Sequence, residues 1–367
     1  MKTLSRFLPA CIPFQLSSNR SYLIQPSSRS FFRTLLTLLT FGLIFNAAIA
    51  QTIIPLQQGR PTSIRGLSVV DDSIAWLSGS KGTVAITRNG GKTWDWRQVK
   101  GFEKADFRDI EAFSDKEAII MSSGTPALIL KTTDGGASWN IKYKNTDTAY
   151  FFDAMDFANP RHGLVLGDPI AGKFVLMETN DAGETWHPYK NPPGALPGEA
   201  AFAASGTCLR LVKHAIGISS GGTNARFIYF NITLDSWQYD PLPIVHHKSS
   251  QGAFSFAMGY NGGLVVGGDY ADDKKADSVA AVVLPKLDAT LVYTPIKTGP
   301  LGFQSCVEYI SGKTFLATGT PGSNITTDGG QTWAKIDGAS YNVCRKAKKG
   351  NLVLLAGNNG AIGLLKL

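Results

Sequence analysis

Four aspartates, Asp109, Asp153, Asp168 and Asp269, lie in short aromatic- or glycine-flanked phrases rather than in charged runs, and Arg65, Arg108 and Arg226 punctuate the same chain. Two carboxyl groups facing each other at a fixed separation would serve glycoside hydrolysis. An arginine cluster would hold a substrate carboxylate, and Tyr270 beside Glu199 would make an activated nucleophile. The same groups also fit plain binding, because arginines keep neighbouring carboxylates ionised and together recognise a polar ligand or peptide. The aspartates are far apart in sequence, so only the fold can set their distances.

Other chemistries find no support. The histidines, at 162, 187, 214, 246 and 247, have no ligand spacing, and adjacent His246 and His247 would point to opposite faces of a strand, so no metal is expected. Gly262-Gly-Leu-Val-Val-Gly-Gly268 has the wrong glycine spacing for a dinucleotide cradle and reads as strand, so no cofactor is expected. The net charge of +8 comes from 36 basic and 28 acidic residues. Residues 1–50 hold five of the basic residues and no acidic one, leaving 31 against 28, or +3, for residues 51–367. That balance gives no reason to invoke nucleic acid or a membrane surface. Past residue 50 the cysteines are 208, 306 and 344. Cys306 and Cys344 occupy like positions on neighbouring repeats, which leaves two readings, a bridge or a pair of buried thiols.

The elements that must position these groups announce themselves in four octets: Thr87-Arg-Asn-Gly-Gly-Lys-Thr-Trp94, Thr132-Thr-Asp-Gly-Gly-Ala-Ser-Trp139, Thr179-Asn-Asp-Ala-Gly-Glu-Thr-Trp186 and Thr326-Thr-Asp-Gly-Gly-Gln-Thr-Trp333. Asn89, Asp134, Asp181 and Asp328 would accept backbone N–H bonds across their own turns, and Trp94, Trp139, Trp186 and Trp333 would open the returning strands. Their first residues are spaced by 45, 47 and 147 positions, the last being three further steps. Two decayed copies are expected between them, one around Asn231–Trp237 and one around Asp277-Ser278. A fixed period of this size marks a repeat architecture of four-stranded blades.

Short apolar runs broken by Gly, Asn and Asp favour an all-β fold. Residues 51–367 divide into seven blades of about 45 residues, with inner strands that include Ile64–Val70, Phe107–Ala112 and Ala201–Leu209. The seventh blade has no room for its fourth strand, and Gln51–Gln57 is left over to supply it. The expected fold is therefore a seven-bladed β-propeller closed by an N-terminal strand. Residues 1–50 read as a signal or targeting segment: basic front, apolar run from Leu35, and a small-x-small pattern, Ala48-Ile-Ala50, before Gln51. An uncleaved anchor and an organelle transit segment are the alternatives.

In such a ring, the loops leading into inner strands and those joining second to third strands share one mouth of the central channel. This places Arg65, Arg108, Asp109, Asp153, Glu199, Ser250 and Gln304 there from the first set. The second set brings Lys81, Asp168, Arg226, Asp269, Tyr270 and Ser323.

The octets resemble BNR, or Asp-box, repeats. The longer phrases Asp106-Phe-Arg-Asp-Ile-Glu-Ala-Phe113, Phe151-Phe-Asp-Ala-Met155, Gly167-Asp-Pro169, Ala195–Cys208 and Gly267-Gly-Asp-Tyr270 resemble secreted seven-bladed propellers of the photosystem II stability/assembly factor type. The resemblance implies an exported, monomeric binding or assembly scaffold. Its site would lie at the channel mouth, and its partner would be a protein, a polar small molecule or a glycan. The alternative is a carbohydrate-active hydrolase. A sialidase reading fails on its Phe-Arg-Ile-Pro signature, of which Phe107-Arg-Asp-Ile110 is only an echo, and on blade number.

Overall fold

The structure, a computed structural model, describes residues 51–367 apart from 213–214, 233 and 287–289. The expected leader, and His214, lie outside the described residues. Seven antiparallel sheets follow one another along the chain. Blade one is Ile64–Val69, Ala75–Gly79, Thr83–Thr87 and Asp95–Gln98, from the channel outward. Blades two, three, five and six repeat the pattern from inner strands Asp106–Ala112, Phe152–Phe157, Gln251–Gly259 and Cys306–Ser311. Blade seven takes Val343–Lys346, Val353–Ala356 and Ile362–Lys366 from the end of the chain and Thr52–Gln57 from its beginning. Thr52 pairs with Lys366 and Gln57 with Ile362, so the first described strand is the last blade's outer strand. The fold is an all-β, seven-bladed propeller.

Between blades lie apolar seams. One gathers Trp76 and Val84 of blade one with Phe107, Ile120 and Leu130 of blade two. The octet turns fasten these seams. In the second octet the Ser138 amide donates to Asp134 Oδ1 at 2.9 Å, the Ser138 hydroxyl to Oδ2 at 2.6 Å, and the Gly136 amide to Thr132 Oγ1 at 3.0 Å. Thr185 and Thr332 repeat the first two bonds on Asp181 and Asp328. Asn89 takes the Thr93 amide at 2.9 Å and gives its own N–H to the Thr93 hydroxyl.

Each tryptophan then reaches the preceding blade. Trp139 meets Trp76 edge-on at 6.2 Å, Trp186 joins Ile119 and Met121, Trp333 packs with Leu264, and Trp94 packs into the cluster built on blade seven. The octets' fifth glycine is doubly constrained. Gly136 has φ of +81°, and a β-carbon there would lie 3.1 Å from the Trp76 ring.

Two expectations are corrected. The decayed fifth octet does not fall at Asp277-Ser278, which belongs to the loop between second and third strands. The outer turn of blade five comes after Pro285, and Tyr293 takes the tryptophan's part by reaching Asp240 of blade four at 2.9 Å. The inner strand of blade four is Leu209–Val212, not Ala201–Leu209. The segment Ala201–Cys208 instead crosses the channel.

Candidate binding site

Small residues make that crossing possible. Gly206, at φ +67°, passes so close to Asp109 of blade two that a β-carbon would overlap its carboxyl group. The Ser205 hydroxyl donates to the Ser305 carbonyl at 2.7 Å, and the Thr207 hydroxyl to Ser255 at 2.6 Å. Ser205 also offers its carbonyl to Arg345 at 3.2 Å, and Ala204 offers its carbonyl to Arg65 at 3.2 Å. One segment of blade four thus bonds blades one, five, six and seven and plugs the ring.

Above the plug is a blind cup of about 520 Å³. Its floor is Ala200–Ala204. One wall carries Arg65, Arg108 and Phe151, with Asp153 and Asp168 beside them. Facing them is an aromatic wall: Phe202 and Phe254 stack at 3.7 Å, Phe303 meets Phe254 edge-on at 4.8 Å, and half-exposed Tyr270 closes the rim.

The charges in the cup are poorly matched to one another. Arg108 pairs with Asp106 at 2.7 Å and lies over the Phe151 ring. Among the described residues Arg65 has no ion pair within 4 Å, only the more distant attraction of Asp106, and the Ala204 carbonyl is its hydrogen-bond partner. Burial, then the like charge of Arg108, lower its affinity for the proton. Asp153 is 1% exposed and neither of its oxygens accepts a hydrogen bond of ordinary geometry, although the Ala203 amide is near enough to favour the charged form. Burial, then the neighbouring Asp168, push its carboxyl well above the usual range. Asp168 is also raised by burial, and its Oδ1 receives the Ala201 amide at 3.3 Å. Native interiors rarely leave such groups unpaired.

The remaining expected residues lie elsewhere. Asp109 is sealed beneath the plug beside a void of about 90 Å³, held by the Met155 and Ile110 amides at 2.8 and 2.9 Å. Burial, opposed by Arg345, raises it to about 7. Glu199 and Arg226 close on each other through two bonds of 2.8 and 2.5 Å, with Ser220 and the Leu196 amide completing the carboxylate. Asp269 is taken up by Gln251 and the Ala271 amide, Gln304 by Asn324, and Ser323 by Thr318. Ser250 hydrogen-bonds Asp269, and Lys81 lies by a separate hollow with Arg60 and Trp96. The aromatic wall went unread in the sequence, although Phe202 and Phe303 lie on the approach to inner strands and Phe254 within one.

A second cavity, about 530 Å³, opens at the other end of the ring. Four of its charges are paired, Glu111 with Lys348 and Glu308 with Arg210 at 2.9 Å, and Asp156 there takes the Leu211 amide at 2.6 Å. No helix among the described residues is long and apolar enough to cross a membrane.

Fold and boxed turns define the class: a seven-bladed propeller in which four Asx turns bolt blades one, two, three and six each to the blade before. Within it the chain resembles the photosystem II stability/assembly factor family. The family described as "Photosynthesis system II assembly factor YCF48" matches residues 54–145. The photosystem II assembly lipoprotein Ycf48 of Synechococcus sp. (strain CC9902) is 28% identical over 124 residues, 33% of this chain and 34% of that one. The chloroplastic photosystem II stability/assembly factor HCF136 of Oryza sativa subsp. japonica is 39% identical over 72 residues, 19% of this chain and 17% of that one. These matches therefore span from about a sixth to a third of the relatives' own length. A solved structure, "YCF48 bound to D1 peptide", superposes with a TM-score of 0.58 at 16% identity, covering 87% of this chain and 97% of that one. At that identity the likeness speaks for the fold alone.

Proposed function

We propose that the protein is an exported assembly scaffold that grips an extended segment of a partner protein in the blind cup. The observation that carries this reading is Arg65, a largely buried guanidinium with no carboxylate within ion-pair distance among the described residues, on the wall of a cavity that also holds the fully buried carboxyl of Asp153. A ligand carboxylate completes Arg65 and Arg108, an amide or amine donor completes Asp153, and an apolar side chain meets the Phe202, Phe254 and Phe303 wall. The plug favours a chain end or a tight bend over a threaded strand. The relatives' names, and the D1 peptide in one structure's title, support a protein as the partner. Export rests on the sequence of residues 1–50, and the working form is a monomer.

Binding of labelled acidic, neutral and basic peptides, the D1 peptide among them, tests the reading by fluorescence anisotropy. Acidic peptides should bind, and Arg65→Ala should weaken them about tenfold, roughly 1.4 kcal/mol. Equal binding by the variant would overturn the assignment of the cup.

A hydrolase is the second reading, favoured by one observation: burial and neighbouring Asp168 raise the Asp153 carboxyl well above the usual range, the direction an acid in a two-carboxylate pair needs. Turnover of any glycoside that Asp153→Asn abolishes would replace the scaffold reading with this one.

A further inference from the structure

The inner strands of blades six and seven lie side by side, and each carries a fully buried cysteine at its start, Cys306 as the first residue of one and Cys344 as the second of the other. The Cys306 and Cys344 sulfurs are 3.7 Å apart. Two donors point at the Cys306 sulfur, the Cys344 amide at 3.4 Å and the Arg345 guanidinium at 4.0 Å, and the Thr207 oxygen, whose proton goes to Ser255, lies 3.8 Å away. Burial opposes ionisation of Cys306, but the Cys344 thiol and Arg345 outweigh it and hold the thiol below its usual range. Cys208 is the contrast. It sits alone in blade four, and burial and Asp153 push its thiol upward. Two buried thiols held in contact on adjoining strands are placed to share one bond once an oxidant reaches them.

We infer that Cys306 and Cys344 form a disulfide that ties blade six to the closing blade. The two sulfurs must approach from 3.7 Å to about 2.05 Å, a movement within reach of side-chain rotation. In the reaction, the Cys306 thiolate attacks one sulfur of a small or protein disulfide, RSSR, and expels RS⁻. The Cys344 thiolate then attacks the Cys306 sulfur of the mixed disulfide and expels the second RS⁻. Two electrons pass to the oxidant, and the two thiol protons appear on two RSH. The packed wall has no space for the mixed disulfide, so exchange precedes the seating of blade seven.

The test uses the full chain, reduced and unfolded, then refolded with oxidised and reduced glutathione, alkylated and digested without reductant. Mass spectrometry should find the Cys306 and Cys344 peptides joined and two hydrogens lighter than their sum, with Cys208 alkylated. Alkylation of both Cys306 and Cys344, or linkage of either to Cys11 or Cys208, would overturn the inference. The oxidised protein should melt about 5 °C above the reduced form, because the bond restricts the unfolded chain. Equal melting would remove the claim that the bond clamps the blades. Should Cys306→Ser fold, its melting should ignore reductant; the wild-type peptide map decides the matter if it does not fold.

Discussion

Gly206 of blade four runs directly against the Asp109 carboxyl group of blade two, on the far side of the channel. The contact leaves no space for a methyl group, and the backbone there is left-handed. Gly206→Ala should therefore destabilise the protein by about 2–4 kcal/mol through combined strain and displacement of a buried carboxyl. Urea denaturation reads this directly; a loss under about 1 kcal/mol would mean that the plug is loosely seated.

Arg65 should be a residue that the fold tolerates rather than needs. It is a half-buried cation with a carbonyl for its hydrogen-bond partner and a like charge beside it, offset only in part by Asp106. Arg65→Met keeps the length and removes a poorly compensated charge, so stability should rise by about 1 kcal/mol while acidic-peptide binding falls. A marked drop in melting temperature would assign Arg65 to structure instead.

The channel acids set the pH dependence. Burial raises Asp109 to about 7 and Asp156 to about 6 in the folded protein. Their unfolded values lie near 4, so between these limits the folded state holds more protons than the unfolded one. The stabilisation is complete below about pH 4 and is lost as pH rises towards 7. Denaturant midpoints measured from pH 4.5 to 7.5 should fall with rising pH, and Asp109→Asn should flatten the slope. An unchanged slope in the variant would remove Asp109 from the account.

The boxed turns work with the opposite sign. Bonds from the Thr185 hydroxyl and amide hold the Asp181 carboxyl down to about 2. That stabilisation is present above the unfolded value near 4 and disappears as pH falls towards 2. Blade one already uses Asn89 with the same Thr93 amide bond. Asp181→Asn should thus keep the turn at neutral pH but lose the acid-dependent part. Its stability curve should converge with wild type between about pH 4 and 2; parallel curves would contradict the assignment.

The ring was readable because each octet repeats a local mechanism: an Asx bond network, a left-handed glycine and a tryptophan. The missing strand at the end of the chain and the spare strand at its start then implied closure. Blade four misled because Ala201, Phe202 and Ala203 read as strand. Their burial comes from crossing the channel, and no periodicity distinguishes that from an inner strand. The cup was half legible. Arg65, Arg108, Asp153, Asp168 and Tyr270 meet there, whereas Glu199 and Arg226 satisfy each other, a pairing across 27 positions that only coordinates reveal. The aromatic wall was hidden because phenylalanine is the ordinary filling of any sheet interior.

The pairing of Thr52 with Lys366 has a consequence for how the molecule is made. Six blades can assemble from neighbouring stretches as the chain emerges, each waiting only for the next few dozen residues. The first strand finds its place only once Ile362–Lys366 has been made, so until then it waits without its mate. Completion of the ring is an event of very high contact order, and it is the step that a premature encounter with another copy's free edge would divert.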